Sequence, residues 1–418
     1  MKHPFRFRSL SRAMRRAVPI ACATLAAVVS ATSAAAPDSP RADDQIETGR
    51  YLAIAANCAG CHTARPNAPY AGGTALPTGF GTFYGPNITP SREHGIGTWS
   101  ADDFWQAMHL GKAPDGSPLY PAFPYPQYTA MSRADSDALY AYLMSLPAID
   151  TPSRPHELRF PYDQRWLLSA WRALYFKPGQ ATPVTTDDAD VQRGHYLVEV
   201  AGHCTACHTP RNRWGATDLA RSLQGAVMPD SKWYATPLSG DAAGLADWSE
   251  DDIVQVLRTG FSRHGTAAGP MGEVVSHSTQ YLHDTDLRAM ARYLKTLPAA
   301  TPAKPPRAAP DDAAMVTGAR LYEQHCASCH GAEGEGAPPH WPALAGNASV
   351  KAPLANNVVL SILKGGYSPT TAHTPQPHGM PPFHALSDSD VAALATFVRN
   401  SWGNAAGPVN PHQVTPLR

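Results

Sequence analysis

The stretch Cys58-Ala-Gly-Cys61-His62 has two counterparts further along the chain, Cys204-Thr-Ala-Cys207-His208 and Cys326-Ala-Ser-Cys329-His330. Each is a C-x-x-C-H motif. On a helix, positions i and i+3 share one face and position i+4 lies beside them. Two thiols at this spacing can form thioethers with the vinyl groups of one haem, while the adjoining histidine reaches the iron. The motifs therefore predict three covalently attached haem c groups.

Other uses of paired cysteines explain these motifs less well. Disulfides need Cα atoms within ~7 Å in a suitable orientation and leave the attached histidine unexplained. A redox-active dithiol has no need of that histidine either. A zinc site would require two C-x-x-C pairs on one ion, whereas these motifs begin 146 and 122 residues apart. Six of the seven cysteines lie in the motifs, and the seventh is Cys22.

Each motif belongs to a longer repeat that contains three helical patterns. The first pattern precedes the motif and includes a glycine followed by aromatic or apolar residues. Its copies contain Gly49-Arg-Tyr51-Leu52, Gly194-His-Tyr196-Leu197 and Gly318-Ala-Arg-Leu321-Tyr322. The second pattern follows the motif and ends at a glycine, over residues 100–111, 249–260 and 355–366. The closing pattern covers residues 137–147, 286–298 and 390–402.

Two local signals make these helical predictions more specific. Ser100 with Asp103, and Ser249 with Asp252, predict capping boxes at the start of the second helix. The closing helices carry an aromatic residue at matching places, namely Tyr142, Tyr293 and Phe397. A small glycine facing such an aromatic residue predicts a close crossing of the first and closing helices.

Each repeat resembles a class I cytochrome c domain, with its N-terminal helix, haem motif, methionine loop and C-terminal helix. The order of the repeats resembles the triheme cytochrome c subunit of bacterial membrane-bound dehydrogenases, the alcohol, gluconate, sorbitol and fructose dehydrogenase complexes. Four further strings carry this resemblance: GPNITP (85–90), FPYPQYTAMS (123–132), PMGEVVSHSTQYL (270–282) and FVRNSWGN (397–404). The resemblance extends over essentially the whole chain after residue 36.

The expected fold class is all-α, with three tandem class I cytochrome c domains. We refer to residues 43–148 as the first repeat, 187–299 as the second and 313–404 as the third. An aromatic linker helix is expected at residues 156–180. The proline-rich residues 301–312, TPAKPPRAAPDD, predict a semi-rigid linker. The polar tail after Trp402 is expected to be loosely held.

The motif histidines His62, His208 and His330 are the expected proximal ligands of the three irons. On the opposite side of the haem, a methionine raises the reduction potential relative to a second histidine. Loop positions favour Met131, Met271 and Met380, and the family resemblance places methionines there as well. Met108 and Met290 match helical core positions instead. The histidine alternatives are His94, His109, His264, His277, His283, His373, His378 and His384.

Residues 1–36 predict a cleaved signal peptide. A basic stretch ends at Arg16, a short apolar run follows, and Ala34–Ala36 provides small residues for cleavage. Residues 37–418 then hold 28 basic and 34 acidic side chains, a net charge of −6. This charge gives no indication of nucleic-acid binding.

Residues Phe160–Gly179 combine aromatic, leucine and basic side chains. Trp166, Trp171 and Phe176 belong to an almost two-sided apolar surface. One interpretation is a helix packed between domains. The other is a surface that meets the membrane interface or a dehydrogenase subunit.

The resemblance implies a non-catalytic electron-transfer subunit. It would pass electrons from a FAD- or PQQ-dependent dehydrogenase subunit to ubiquinone, peripherally bound at the periplasmic face of the inner membrane, with a small third subunit as a possible companion. A second hypothesis is a soluble shuttle, or the electron-accepting subunit of a molybdenum hydroxylase or terminal oxidase. A third is an enzyme such as a haem peroxidase or thiosulfate dehydrogenase, but no cysteine outside the motifs and residues 1–36 remains as an iron ligand.

Overall fold

Helices dominate the computed structural model, which describes residues 42–64, 66–179, 184–229, 231–241, 244–299, 309–338, 340–376 and 378–418. The predicted signal peptide and residues 301–308 of the predicted linker lie outside these ranges. The helices are α1 Ala42–Ala55, α2 Cys58–His62, α3 Ala101–Leu110, α4 Tyr125–Tyr128, α5 Arg133–Ser145, α6 Leu167–Tyr175, α7 Ala189–His195, α8 Thr205–His208, α9 Glu250–Thr259, α10 Pro270–His277, α11 Asp284–Thr296, α12 Asp312–His325, α13 Ala327–His330, α14 Ala348–Lys351, α15 Asn356–Lys364, α16 Asp388–Asn400 and α17 Pro411–Val414.

Short antiparallel strands and single turns connect these helices. The strands are β1 Ala75–Thr78, β2 Gly81–Tyr84, β3 Glu157–Leu158, β4 Ala226–Val227, β5 Tyr234–Ala235, β6 Phe261–Ser262, β7 Gly265–Thr266, β8 Gly366–Tyr367 and β9 Gly379–Met380. They form one sheet in the order β1-β2-β3 and the pairs β4-β5, β6-β7 and β8-β9. A π-helical turn, Tyr196–Ala201, continues α7, and 3₁₀ turns cover Leu219–Arg221, Thr279–Tyr281 and Thr415–Leu417.

The same close helix crossing occurs in each repeat. A Cβ atom added to the glycine of the first helix would overlap a carbonyl oxygen of the closing helix, so only glycine permits this approach. The separations would be 1.9 Å from Gly49 to Ala138 O, 1.9 Å from Gly194 to Ala289 O and 2.3 Å from Gly318 to Ala393 O. The Cβ atoms of Tyr142, Tyr293 and Phe397 would also lie within 2.6 to 2.8 Å of the added atom. The predicted glycine–aromatic crossing is confirmed.

Capping residues set the limits of α3 and α9. Ser100 accepts a hydrogen bond from the Asp103 backbone and Ser249 one from the Asp252 backbone, each within a complete capping box. Gly111 (φ 59°) and Gly260 (φ 79°) end these helices in the left-handed conformation. Both predictions are confirmed.

The described residues form four clusters of buried apolar side chains. A small one joins Phe83 and Tyr120 of the first repeat to Leu168 of α6, and the three larger ones are each centred on one repeat. The clusters also include side chains from a neighbouring repeat. Ala55 belongs to the second cluster, Val200 to the first, and Trp233 packs against the third. The repeats therefore share apolar surface, which favours a fixed geometry between their sites.

The tail after Trp402 differs from the prediction. Val409, Val414 and Leu417 are buried in the core cluster of the third repeat, and the Arg418 guanidinium donates to a carboxylate oxygen of Asp388 at 2.5 Å. The expectation of a loosely held tail was therefore wrong. Val414 ends α17 and Leu417 ends the following 3₁₀ turn, so a short helix and turn bury these two side chains together.

The aromatic linker is helical over only nine residues, those of α6. Upstream, Glu157 and Leu158 pair with β2 instead, and Pro161, which lacks a backbone N–H, lies between this strand and the helix. The helix predicted for residues 156–180 is thus shorter than expected. Among the described residues, none of the helices has the length and hydrophobicity of a transmembrane segment.

Candidate haem-attachment sites

Each C-x-x-C-H motif lies on a short helix at the end of a longer one. In the first repeat, Asn57 adopts the left-handed conformation (φ 48°) and separates α1 from α2. In the third, Cys326 (φ −124°) separates α12 from α13. The described residues contain no disulfide among the six motif cysteines. Both thiols of each motif therefore remain chemically able to form thioethers.

The three motif histidines share one hydrogen-bond arrangement. Their Nδ1 atoms lie against backbone carbonyl oxygens, which can only accept, so Nδ1 carries the proton and donates. The acceptors are Pro86 O at 2.8 Å for His62, Thr236 O at 2.6 Å for His208 and Pro342 O at 2.9 Å for His330. A hydrogen bond at Nδ1 orients the ring and leaves Nε2 as the atom that can bind a metal.

Burial favours the neutral form of these histidines and of the first cysteine of each motif. It lowers the pKa of His62, His208 and His330, against a smaller raising effect of the carbonyl hydrogen bonds. Neutral imidazole is the form that binds a metal. Burial also raises the pKa of the first cysteine of each motif, to about 12 for Cys58 and Cys204 and about 11 for Cys326.

A cavity of about 1360 Å³ is lined by Cys326, Cys329, His330 and Met380. Its volume exceeds the ~300–1,000 Å³ typical of small-molecule sites. Apolar side chains, Leu394 among them, complete this part of the wall. The third motif and the methionine predicted for it thus face one space large enough for a porphyrin, which fits a bound haem.

The other two predicted methionines lie in the cores of their repeats. Met131 is buried just before α5 in the cluster against which Cys58 packs. Met271 and Cys204 both pack against the cluster of the second repeat. In both repeats the methionine and the first motif cysteine border the same apolar interior.

The backbone around Met271 differs from the flexible loop predicted there. Met271 lies in the first turn of α10, after Gly269 with φ 53° and with Pro270 in the first helical turn. A proline at the first helical position has its backbone angle already set for a helix, which explains why this segment is helical. The methionine is held by a helix.

Several alternative histidine ligands are engaged elsewhere. His109 stacks on Trp105, His264 on Trp248 and His283 on Tyr51, with ring centroids 4.4 to 4.7 Å apart. His277 and His378, by contrast, line the large cavity. They remain the alternatives to methionine that lie at a candidate site.

Sequence reasoning missed two sets of residues that position the motifs. The first set consists of the backbone carbonyls that accept from the motif histidines. The sequence marks each of them by a proline, either at the acceptor itself (Pro86, Pro342) or directly after it (Pro237). The other is His203, whose Nε2 lies 3.2 Å from Ala56 O and whose ring contacts Tyr128. His203 precedes Cys204 and therefore joins the second motif directly to the first repeat.

Paired thiols with an adjoining neutral histidine whose Nε2 is oriented for a metal are typical of a c-type cytochrome. The cytochrome c family model matches residues 46–147 and 315–402. The chain is 37% identical to the cytochrome c subunit of a quinone-type alcohol dehydrogenase from Gluconacetobacter polyoxogenes, with 97% of this chain and 90% of that protein aligned.

Two further relatives have the same kind of role. The cytochrome c subunit of gluconate 2-dehydrogenase from Pantoea cypripedii is 38% identical, with 94% of each chain aligned. The cytochrome subunit of fructose dehydrogenase from Gluconobacter japonicus is 36% identical over 89% of this chain and 82% of that one. The chain belongs to this family of dehydrogenase cytochrome c subunits. Covalently bound haem c and electron transfer follow from that membership.

Proposed function

We propose that this chain is a triheme electron-transfer subunit of a periplasm-facing, membrane-bound dehydrogenase. It carries electrons from a catalytic subunit, FAD- or PQQ-dependent, to ubiquinone. The observation that carries the proposal is that all three motif histidines donate Nδ1–H to a backbone carbonyl. One haem at each motif, with ligand pairs His62/Met131, His208/Met271 and His330/Met380, makes three tandem cytochrome c domains.

The residues of the chain have distinct tasks in this function. When bound, each haem supplies a one-electron Fe(III)/Fe(II) couple. The cysteines would hold the porphyrin covalently, and the carbonyl-bound histidine would present Nε2 to the iron. The methionine sulfur would serve as the second protein ligand and raise the reduction potential, and the apolar side chains around it would exclude water.

Haem counting tests the proposal directly. The exported protein should carry the mass of three haems, and the double variant Cys204→Ser/Cys207→Ser should lose one of them. The matched variant Cys326→Ser/Cys329→Ser should also lose one. A parent protein with two haems, or a second-motif variant with unchanged mass, would refute the triheme assignment.

Companion subunits distinguish this function from that of a soluble shuttle. Purification from detergent-solubilised membranes should yield the chain with a catalytic dehydrogenase subunit, and adding that subunit's substrate should reduce the haems. A free monomer in gel filtration of the native extract would favour the shuttle. A molybdenum-containing companion would favour the hydroxylase alternative.

We also propose that the surface around α6 binds the membrane peripherally. Large apolar side chains are exposed there: Phe160 (81%), Trp166 (70%), Leu174 (73%), Trp214 (48%) and Leu219 (64%). Trp171 Nε1 donates to Trp214 O at 2.9 Å, so the helix and the Trp214 loop are adjacent. The exposed basic residues of these segments are Arg159, Arg165, Lys177, Arg213 and Arg221. Aromatic and basic side chains together suit an anionic lipid surface.

Vesicle binding tests this surface. The parent should co-sediment with vesicles that contain phosphatidylglycerol, and Trp166→Glu/Leu174→Glu should not. Val316→Glu is the matched control, because Val316 is also an exposed apolar residue (71%) but lies on a different helix, α12. If the double variant stays on vesicles, the lipid assignment is wrong. If the double variant still binds vesicles but no longer binds the dehydrogenase subunit, the surface is a protein interface.

A further inference from the structure

A short segment of the second repeat, Lys232–Thr236, is held by the third repeat. Asn357 on α15 accepts a hydrogen bond from the Tyr234 backbone N–H at 2.8 Å and donates to the Tyr234 carbonyl at 2.9 Å. The neighbouring Asn356 side chain donates to the Lys232 carbonyl at 2.8 Å. Asn357 and Tyr234 are both buried. These bonds fix the segment in position on α15.

The same segment supports the second haem motif. Its last residue, Thr236, provides the carbonyl oxygen that accepts from His208 Nδ1 at 2.6 Å. The orientation of the second proximal histidine therefore depends on a backbone that the third repeat holds in place.

The side chain of Trp233 points from this segment toward the third site. It packs against the core of the third repeat and lines the cavity that Cys326, His330 and Met380 also line. It also meets the chain just before Met271, where Gly269 lines the same cavity. A Cβ atom added to Gly269 would lie 2.6 Å from the Trp233 indole, which shows how closely the two approach. The Trp233 indole thus contacts both the cavity of the third site and the chain next to Met271 of the second site.

We infer that Trp233 bridges the second and third haem sites for electron transfer. This inference rests on the proposed triheme function. One electron leaves the reduced iron of one site and arrives at the oxidised iron of the other, and the indole neither gains nor loses an electron. Tunnelling weakens steeply with distance and more steeply across a gap than through packed atoms. An indole that fills the space at protein packing density shortens that gap.

A purely structural role for Trp233 predicts a different outcome. A packing residue would, when removed, lower stability or shift a haem potential. A bridging residue would slow the passage of electrons between sites while the potentials stay fixed. The experiment therefore measures rates and potentials on the same protein.

The test uses the full-length holoprotein and three variants. Trp233→Leu removes the ring, and Trp233→Phe keeps a smaller ring. Trp248→Leu is the matched control, because Trp248 packs against the second core but does not line the cavity. Pulse radiolysis injects less than one electron per oxidised molecule, and haem absorbance with freeze-quenched EPR follows its redistribution among the sites.

Trp233→Leu should slow redistribution between the second and third sites several-fold, Trp233→Phe should slow it less, and Trp248→Leu should leave it unchanged. Midpoint potentials and the near-infrared methionine bands should match those of the parent in all variants. An unchanged rate in Trp233→Leu overturns the inference, and so does a slower rate that a shifted potential explains. A haem count below three in the parent instead refutes the proposed function.

Discussion

The second and third repeats reach the same helix crossing with different local structure. In the third, α12 runs without interruption over 14 residues to His325. In the second, α7 passes into the π-helical turn Tyr196–Ala201 before the motif. The buried Glu199 on this turn accepts a hydrogen bond from the Tyr293 hydroxyl. The matching Phe397 has no hydroxyl and packs against Tyr322 instead.

This difference shows which part of the arrangement is constrained. The glycine and the Cβ of the aromatic residue set the approach of the two helices, and both repeats keep them. The far end of the aromatic ring is free to meet a carboxylate or another ring. The π-helical turn of the second repeat is a rare form of helix that often occurs near functional sites.

The largest effect is expected when the predicted sulfur ligands of the second and third repeats are removed. Met380→Ala and Met271→Ala should each abolish about a third of the near-infrared sulfur-to-iron band and lower one midpoint potential, because the methionine raises it. Spectropotentiometry of the purified holoprotein measures both.

The control for these variants is Met290→Leu, which replaces a buried methionine of α11 with a residue of similar volume and should leave the band intact. A full band in Met271→Ala would show that another residue ligates the second iron. His277, on the same helix α10, would then be the first to test.

The second-largest effect is expected from alanine substitutions at the glycines where the first and closing helices cross. Gly194→Ala and Gly318→Ala should each destabilise the protein by about 3 kcal/mol or more, because the added methyl group overlaps a backbone carbonyl that cannot move alone. Gly194→Ala should cost more, since its Cβ would lie 1.9 Å from the carbonyl oxygen rather than 2.3 Å. Thermal unfolding measures the loss.

Gly79→Ala is the control, because a Cβ there meets nothing within 4 Å. If Gly194→Ala unfolds at the same temperature as the parent, the close helix approach does not stabilise the second repeat. The glycine that the second and third repeats share at the crossing would then not be needed for stability.

A smaller effect is expected at Asp286, where the second repeat has an ion pair. Its carboxylate accepts from Arg193 at 2.7 and 2.9 Å and from the Tyr51 hydroxyl at 2.6 Å. Burial raises the pKa of Asp286, but these hydrogen bonds outweigh it and lower the pKa below the ordinary 3.8. The stabilisation is therefore present above pH 3.8 and is lost as pH falls through the lower, folded-state pKa.

Asp286→Asn should cost about 2 kcal/mol at pH 7, and the difference from the parent should shrink as pH falls below about 4. Asp390→Asn, at the matching position of the third repeat, should cost less, because Asp390 bonds only the N-cap Ser387 side chain among the contacts described. Urea unfolding between pH 3 and 7 measures both. A constant difference across this range would contradict the ion-pair explanation.

The sequence predicted the local features of the fold well. Gly194 and Tyr293 could be paired because a close crossing needs a small residue opposite a large one. Ser249 could be assigned as a cap because its partner Asp252 lies three residues away. Such signals depend on neighbours in sequence or on a repeated pattern, so they are readable before folding.

Features that depend on contacts between distant parts of the chain could not be predicted from such local signals. The ordered end at Leu417 depends on packing against distant parts of the chain. The acceptor of the His208 proton is a backbone carbonyl, which any residue could provide, so sequence identifies it only through the adjoining Pro237. The role of Trp233 required knowing that α15 holds its segment.

The smallest expected effect concerns how the second helix of each repeat begins. In the second repeat, Ser249 closes a capping box with Asp252 at 3.1 and 2.8 Å. In the third, the N-cap Ala355 makes no side-chain bond and has helical backbone angles (φ −79°, ψ −2°). Ser249→Ala should therefore lower the free energy of unfolding by about 1 kcal/mol.

Ala355→Ser should give no stabilisation in return. A capping serine needs an extended backbone to reach the third N–H of the helix, and position 355 is helical and buried. Its hydroxyl would be buried without the partner that Ser249 finds, which costs free energy. Urea unfolding of both variants measures this difference. A gain near 1 kcal/mol in Ala355→Ser would mean that the two helix starts differ only in their side chains, and that the third repeat can adopt the backbone of the second.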